Sequence, residues 1–304
     1  LGAVPRGFEP RKVRDDCGSI LAPGPLEAQP LDVVLLRLDR AKSLNTFLDW
    51  FQKQEGCSVK QMNAVAVITG SARNIGRATA LQLANLGFHI VLHTRSDEPN
   101  LHQTIALVRQ TGVLCEGVTG QLDEQRTIDE LAKAVKAMGI CQVLVNNASV
   151  RKTKAFLETT LDDWHEVFRI NCDAQFLCTQ KFLPDMLNAG WGRVICLGGL
   201  SAHTGAIERA AVVTSKSSVP GLVRALAVEF ADSQVTFNCV VPGHIEVERS
   251  KDTGARLKHP NFEGQNVPYG QPEDVARVIS MLVGPDSGFI TGQTIHVNGG
   301  AFLP

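Results

Sequence analysis

From residue 63 onward the chain repeats one pattern: a short apolar run rich in β-branched residues, a turn, then a longer stretch with apolar residues at helical spacing. The runs are Ala64 to Thr69, His89 to His93, Val113 to Val118, Gln142 to Asn146, Arg193 to Leu197, Val235 to Val241 and Thr294 to Val297. Runs that stay apolar without alternating suit strands buried on both faces, the condition of a parallel sheet between two layers of helices. Seven such runs with six helical segments between them predict an α/β fold built on a doubly wound, seven-stranded parallel sheet with helices on both faces. No internal repeat or low-complexity tract interrupts the pattern.

Residues 1–61 differ in texture. Breakers and charges, as in Val4-Pro5-Arg6-Gly7 and Ala22-Pro23-Gly24-Pro25, stand where a period would be, which predicts a largely disordered extension. Within it Leu44, Phe47, Leu48 and Phe51 fall on one helical face, so a short helix at 43–54 is expected. The organisation is therefore an N-terminal extension, 1–61, followed by one domain, 62–304, and the 44% apolar content is enough for one substantial core.

A net charge of -1 offers no basic field for nucleic acid or an acidic membrane, so the expected partner is a small molecule or another copy of the chain. Eight cysteines (Cys17, Cys57, Cys115, Cys141, Cys172, Cys178, Cys196 and Cys239) include no C-x-x-C pair. They read as reduced thiols of a cytoplasmic protein, and no metal site is expected. No apolar run reaches the ~18 residues that span a bilayer, and no signal-peptide core is recognisable.

The first run leads directly into Thr69-Gly70-Ser71-Ala72-Arg73-Asn74-Ile75-Gly76, which opens the helical stretch Arg77 to Asn85. A helix N-terminus offers unpaired N–H groups and a positive dipole end, which suits a pyrophosphate. Gly70 serves the tight turn and Gly76 the close packing of helix on strand, making this a Rossmann-type dinucleotide loop. Gly70, Ser71, Arg73, Asn74, Ile75 and Gly76 are the candidate cofactor contacts. The second run ends His93-Thr94-Arg95-Ser96, without the acidic residue that selects NAD. Arg95 with Ser96, assisted by Arg73, suits a 2′-phosphate, so NADP(H) is preferred and NAD(H) is the alternative. Both segments resemble those of pteridine reductases, which are NADP(H) enzymes.

Further blocks extend the likeness. Asn146-Asn147-Ala148-Ser149, Arg169-Ile170-Asn171-Cys172, Pro242-Gly243-His244-Ile245, Phe289-Ile290-Thr291-Gly292-Gln293 and His296-Val297-Asn298-Gly299-Gly300 occur in that order. In this the chain resembles the short-chain dehydrogenase/reductase family, and in particular 3-oxoacyl carrier-protein reductases, over residues 62–304. Chains of that family usually begin shortly before the phosphate loop, and Met62 lies eight residues before Gly70, so 1–61 reads as an added upstream segment. The resemblance implies that Asn147, Ala148, Pro242, Gly243 and Ile245 border the nicotinamide. It also implies that Asn171 holds a water beside the catalytic lysine and that subunits assemble as a homotetramer, with a dimer as the alternative.

The family's catalytic serine and its Y-x-x-x-K tyrosine are missing. Alignment puts Gly199 at the serine, Val212 at the tyrosine and Lys216 at the lysine. The chain's single tyrosine, Tyr269, lies far from this segment. In the family the tyrosine exchanges a proton with the substrate oxygen, which valine cannot do. Pro220, four residues after Lys216, removes a helical hydrogen bond and predicts a bend. The loop Leu200 to Arg209 lines the family's substrate pocket. Within it His203 is the candidate substitute acid/base, Ser201 or Thr204 the group that orients a carbonyl, and Arg209 an anion-binding group. Lys216 with Asn171, holding a water, is the competing relay, and Lys216 is also a candidate cofactor contact through the ribose hydroxyls. The reading is an NADP(H)-dependent oxidoreductase for a small carbonyl or alcohol. The alternatives are a non-catalytic dinucleotide sensor or structural subunit, or a lyase, isomerase or dehalogenase on the same scaffold.

Overall fold

The computed structural model describes residues 63–248 and 269–304. The chain divides into two units, Leu1–Cys57 and Ser58–Pro304, and all described residues belong to the second. The helix expected at 43–54 lies outside them.

Seven strands form one sheet: β1 (Ala64–Ile68), β2 (His89–Thr94), β3 (Cys115–Thr119), β4 (Ile140–Asn146), β5 (Gly192–Leu197), β6 (Val235–Pro242) and β7 (Thr294–Val297). Their order is β3-β2-β1-β4-β5-β6-β7, and every neighbouring pair is parallel. All seven predicted runs are strands, with ends shifted by about two residues at most.

Among the described residues eight α-helices fill the connections: α1 (Asn74–Asn85), α2 (Glu98–Arg109), α3 (Gln125–Met138), α4 (Leu161–Phe168), α5 (Ala174–Ala189), α6 (Ser201–Thr204), α7 (Ala210–Glu229) and α8 (Pro272–Val283). The pleat sends alternate residues of β1 to opposite faces. Val65 and Val67 join a core with Leu131 and Val135 of α3, Phe182 and Met186 of α5, and Val219 and Val223 of α7. Ala64, Ala66 and Ile68 join a second with Leu83 of α1, Val108 of α2 and Ile279 of α8. Burial on both faces is why β1 and β5 tolerate no alternation.

Two irregularities bear on the site. A π-helical turn, Arg169–Asp173, joins α4 to α5 and contains the buried Asn171. Pro220 does not end α7, which runs nine residues beyond it. The chain winds from β1 out to β3, then returns across β1 to β4. The point of reversal is where the carboxyl ends of β1 and β4 open a crevice, the usual ligand position in such sheets.

Candidate functional site

At this crevice lies a cavity of about 780 Å³, within the usual range for ligand sites, roughly 300–1,000 Å³. The phosphate loop forms its floor. Gly70 has φ +63° and its added Cβ would stand 2.8 Å from Ala148 Cα, so no side chain fits there. At Gly76 a Cβ would meet the Gly70 carbonyl oxygen at 2.5 Å and Ser71 Cα at 2.6 Å. Helix α1 is thereby brought against the strand end, and the side chain of its N-cap residue, Arg73, makes no capping bond. Its first N–H groups are available to an anion. Asn74, at the family's middle glycine, takes φ +53°, the left-handed geometry that asparagine accepts more readily than other side chains.

Hydrogen bonds tie the loop to its neighbours. Thr69 Oγ1 accepts from the N–H groups of Asn147 and Ala148, each at 3.0 Å, and Asn147 Nδ2 donates to the carbonyls of Thr69 and Gly70. The buried Ser71 donates to Ile68 O at 2.8 Å and accepts from His93 N at 3.0 Å. His93 Nδ1 accepts from Gly70 N–H at 3.2 Å while Nε2 faces Gly120 O at 3.0 Å, an arrangement that requires the proton on Nε2. Burial pushes its pKa down to about 4, against the opposing pull of the Gly120 carbonyl, so the ring is a neutral strut.

At one end the cavity is lined by Arg73, Arg95, Ser96, Asp97 and Asn100. Arg73 pairs with Asp97 at 3.8 Å, while Arg95 is exposed. At the other end lie Asn147, Ala148, Ser149, Val150, Arg151 and Arg209. Behind it Asn171 Oδ1 accepts from Val150 N–H at 2.8 Å, and its Nδ2 donates to Val150 O and to Ser215 Oγ, both at 3.1 Å. Lys216 Nζ, buried, donates to Leu197 O at 2.7 Å. Burial, followed by the charge of Arg151, lowers its pKa to about 8.

A family model described as enoyl-(acyl carrier protein) reductase matches residues 70–301. The chain belongs to the short-chain dehydrogenase/reductase family. It is 33% identical over 249 residues to the 3-oxoacyl-(acyl-carrier-protein) reductase of Aquifex aeolicus, covering 80% of this chain and 99% of that protein. Identity is 31% over 243 residues to a (2S)-[(R)-hydroxy(phenyl)methyl]succinyl-CoA dehydrogenase subunit of Thauera aromatica, with 79% and 97% covered. Among solved structures it is similar to the acetoin dehydrogenase of Salmonella typhimurium, with TM-score 0.71, 29% identity, and 79% and 96% covered. The family is one of nicotinamide-dinucleotide oxidoreductases. The uncapped helix end, the close approach at Gly76 and the cavity volume all fit that cofactor.

The structure brings some of the sequence-derived site residues together and leaves others apart. The phosphate-loop candidates except Ser71, together with Arg95, Ser96, Asn147 and Ala148, line the cavity; Ser71 is buried beneath it. Pro242, Gly243 and Ile245 do not line it, although Val247 and Glu248 just beyond them do. Gly243 packs against Asn298, where a Cβ would come within 2.5 Å of Cα. Gly199 stands beside Lys216, with an added Cβ 3.8 Å from Lys216 Cγ. Val212, one helical turn before Lys216, is buried with Ala211 and Val167 against Val150 and Trp164. Of the four residues proposed for catalysis, Asn171, Ser201, His203 and Lys216, none lines the cavity; Ser201 and His203 belong to the short α6, and Asn171 and Lys216 are buried. His203 faces His296 and Phe302, with ring centroids 4.6 and 5.3 Å away, and burial lowers its pKa. Sequence reading missed His93 and Asp97. The Thr94-Arg95-Ser96-Asp97 turn held a signal for Asp97, whereas nothing local marks His93 as the partner of Gly70.

Proposed function

We propose that this protein binds NADP(H) in preference to NAD(H) and acts on a small carbonyl or alcohol through a proton relay that bypasses the family's serine and tyrosine. The carrying observation is the cluster around Lys216. Gly199 offers no hydroxyl, Val212 offers only methyl groups in an apolar nest, and Lys216, buried against Leu197 O, has the thiols of Cys196 and Cys239 near it, both pushed up by burial and so protonated near neutral pH. A bound nicotinamide supplies or accepts hydride. The chain's own residues must then seat the dinucleotide, exclude water and move one proton. Lys216 is suited to hold ribose hydroxyls and, with a pKa brought to about 8, to exchange a proton directly or through a water. Asn171 fixes the Val150 segment that forms the adjoining wall. The packing of His203 against His296 and Phe302 favours Lys216 over His203 for this role. Arg95 supports the 2′-phosphate preference. Assembly as a homotetramer, or alternatively a dimer, belongs to the same proposal, because Val228, Phe289 and Leu303 hold apolar side chains in water.

The apolar nest around Val212 also favours a second reading, dinucleotide binding without turnover. NADPH oxidation against a panel of aldehydes, ketones and 3-oxoacyl compounds separates the two. Under the first reading the parent turns over, His203→Ala changes the rate less than about tenfold, and the pair Gly199→Ser with Val212→Tyr raises it. Tight NADPH binding with no turnover in the parent or the restored pair would establish the second.

A further inference from the structure

Asn74 does more than supply a left-handed backbone. Its Nδ2 donates to Glu248 O and its Oδ1 accepts from Glu248 N–H, both at 2.9 Å. One side-chain amide thus reproduces the two-bond pairing that a strand offers its neighbour, across 174 residues of sequence. Glu248 lies six residues beyond the end of β6, and Asn74, Val247 and Glu248 all line the cavity. The tie therefore joins the N-terminus of α1, where a pyrophosphate would sit, to the segment that follows β6. Glycine meets the backbone requirement at this position with less strain, so φ alone gives no reason for asparagine.

We propose that Asn74 is a positioning residue of the cofactor site, whose amide holds the Val247–Glu248 segment against the phosphate loop at the cavity and so slows departure of the dinucleotide. This rests on the reading that the cavity takes NADP(H). Acting through Glu248 rather than on the cofactor, Asn74 governs release more than capture. Asn74→Gly keeps the left-handed backbone, adds no charge and removes both bonds.

The test uses the full chain. Stopped-flow fluorescence measures NADPH association and release, and hydrogen exchange follows the Glu248 amide without cofactor. Asn74→Gly should exchange the Glu248 amide faster and release NADPH about tenfold faster with association within twofold of the parent. Unchanged release in Asn74→Gly despite faster Glu248 exchange would overturn the proposal while leaving the cofactor reading intact. Slower association with unchanged release would overturn it too, by assigning Asn74 to loop formation. Failure of the parent to bind NADPH or NADH would remove the cofactor reading and the proposal with it.

Discussion

Replacing Lys216 by methionine tests the electrostatic description of the site most directly. A lysine in the unfolded chain keeps its proton up to about pH 10.5, whereas burial, and then the charge of Arg151, brings Lys216 down to about 8 in the fold. Between these values the unfolded chain binds more protons than the folded one, so stability rises with pH across that window. Below pH 8 both forms are charged and the full cost of burying the ammonium stands; above 10.5 both are neutral and it vanishes. At 1.36 kcal/mol for each pH unit, the drop corresponds to about 3 kcal/mol. Methionine is similar in length, carries no charge and abolishes that cost, but it leaves Leu197 O without the donor now at 2.7 Å. That loss costs about 1–3 kcal/mol, so near pH 7 the two changes largely cancel. The decisive quantity is the pH dependence. Thermal unfolding of the dinucleotide-free protein, followed by circular dichroism from pH 7 to 10, should show the variant's Tm falling relative to the parent's. The fall should be on the order of 5–10 °C, given roughly 2–4 °C per kcal/mol for a domain of this size. A difference in Tm that stays constant over the range would refute the reasoning, because a lysine titrating at its ordinary value adds no such slope below pH 10.

Two further outcomes probe the cofactor site. Arg95→Asp should weaken NADPH and strengthen NADH in fluorescence titrations, reversing the parent's preference; equal affinities in parent and variant would remove Arg95 from the 2′-phosphate site. Gly76→Ala places a methyl 2.5 Å from the Gly70 carbonyl oxygen, where backbone lies on both sides, and should cost about 1–3 kcal/mol and lower dinucleotide affinity at least about tenfold. Gly199→Ala, with 3.8 Å of room to Lys216 Cγ, should leave both stability and affinity near the parent's, so similar damage in the two alanine variants would contradict the packing described.

The sequence by itself determined the sheet and the phosphate loop. A strand buried on both faces must be apolar throughout, so each of the seven runs announced itself locally. Gly70 and Asn74 were equally readable, because a positive φ is a demand on one residue and is met by few residue types. The lost tyrosine followed from counting, since the chain has only one. What the tertiary structure decided lies in pairings across long stretches of chain. His203 is close in sequence to Gly199, yet α6 carries it to His296 and Phe302 instead of to the cavity. The π-helical turn that places Asn171 on Val150 and Ser215 leaves no periodic trace strong enough to read. Lys216 on Leu197, His93 between Gly70 and Gly120, and Asn74 on Glu248 join residues 19 to 174 positions apart. Local pattern reports burial and backbone geometry, which each residue satisfies by itself, whereas the partner of a polar group depends on which distant segments the core brings together.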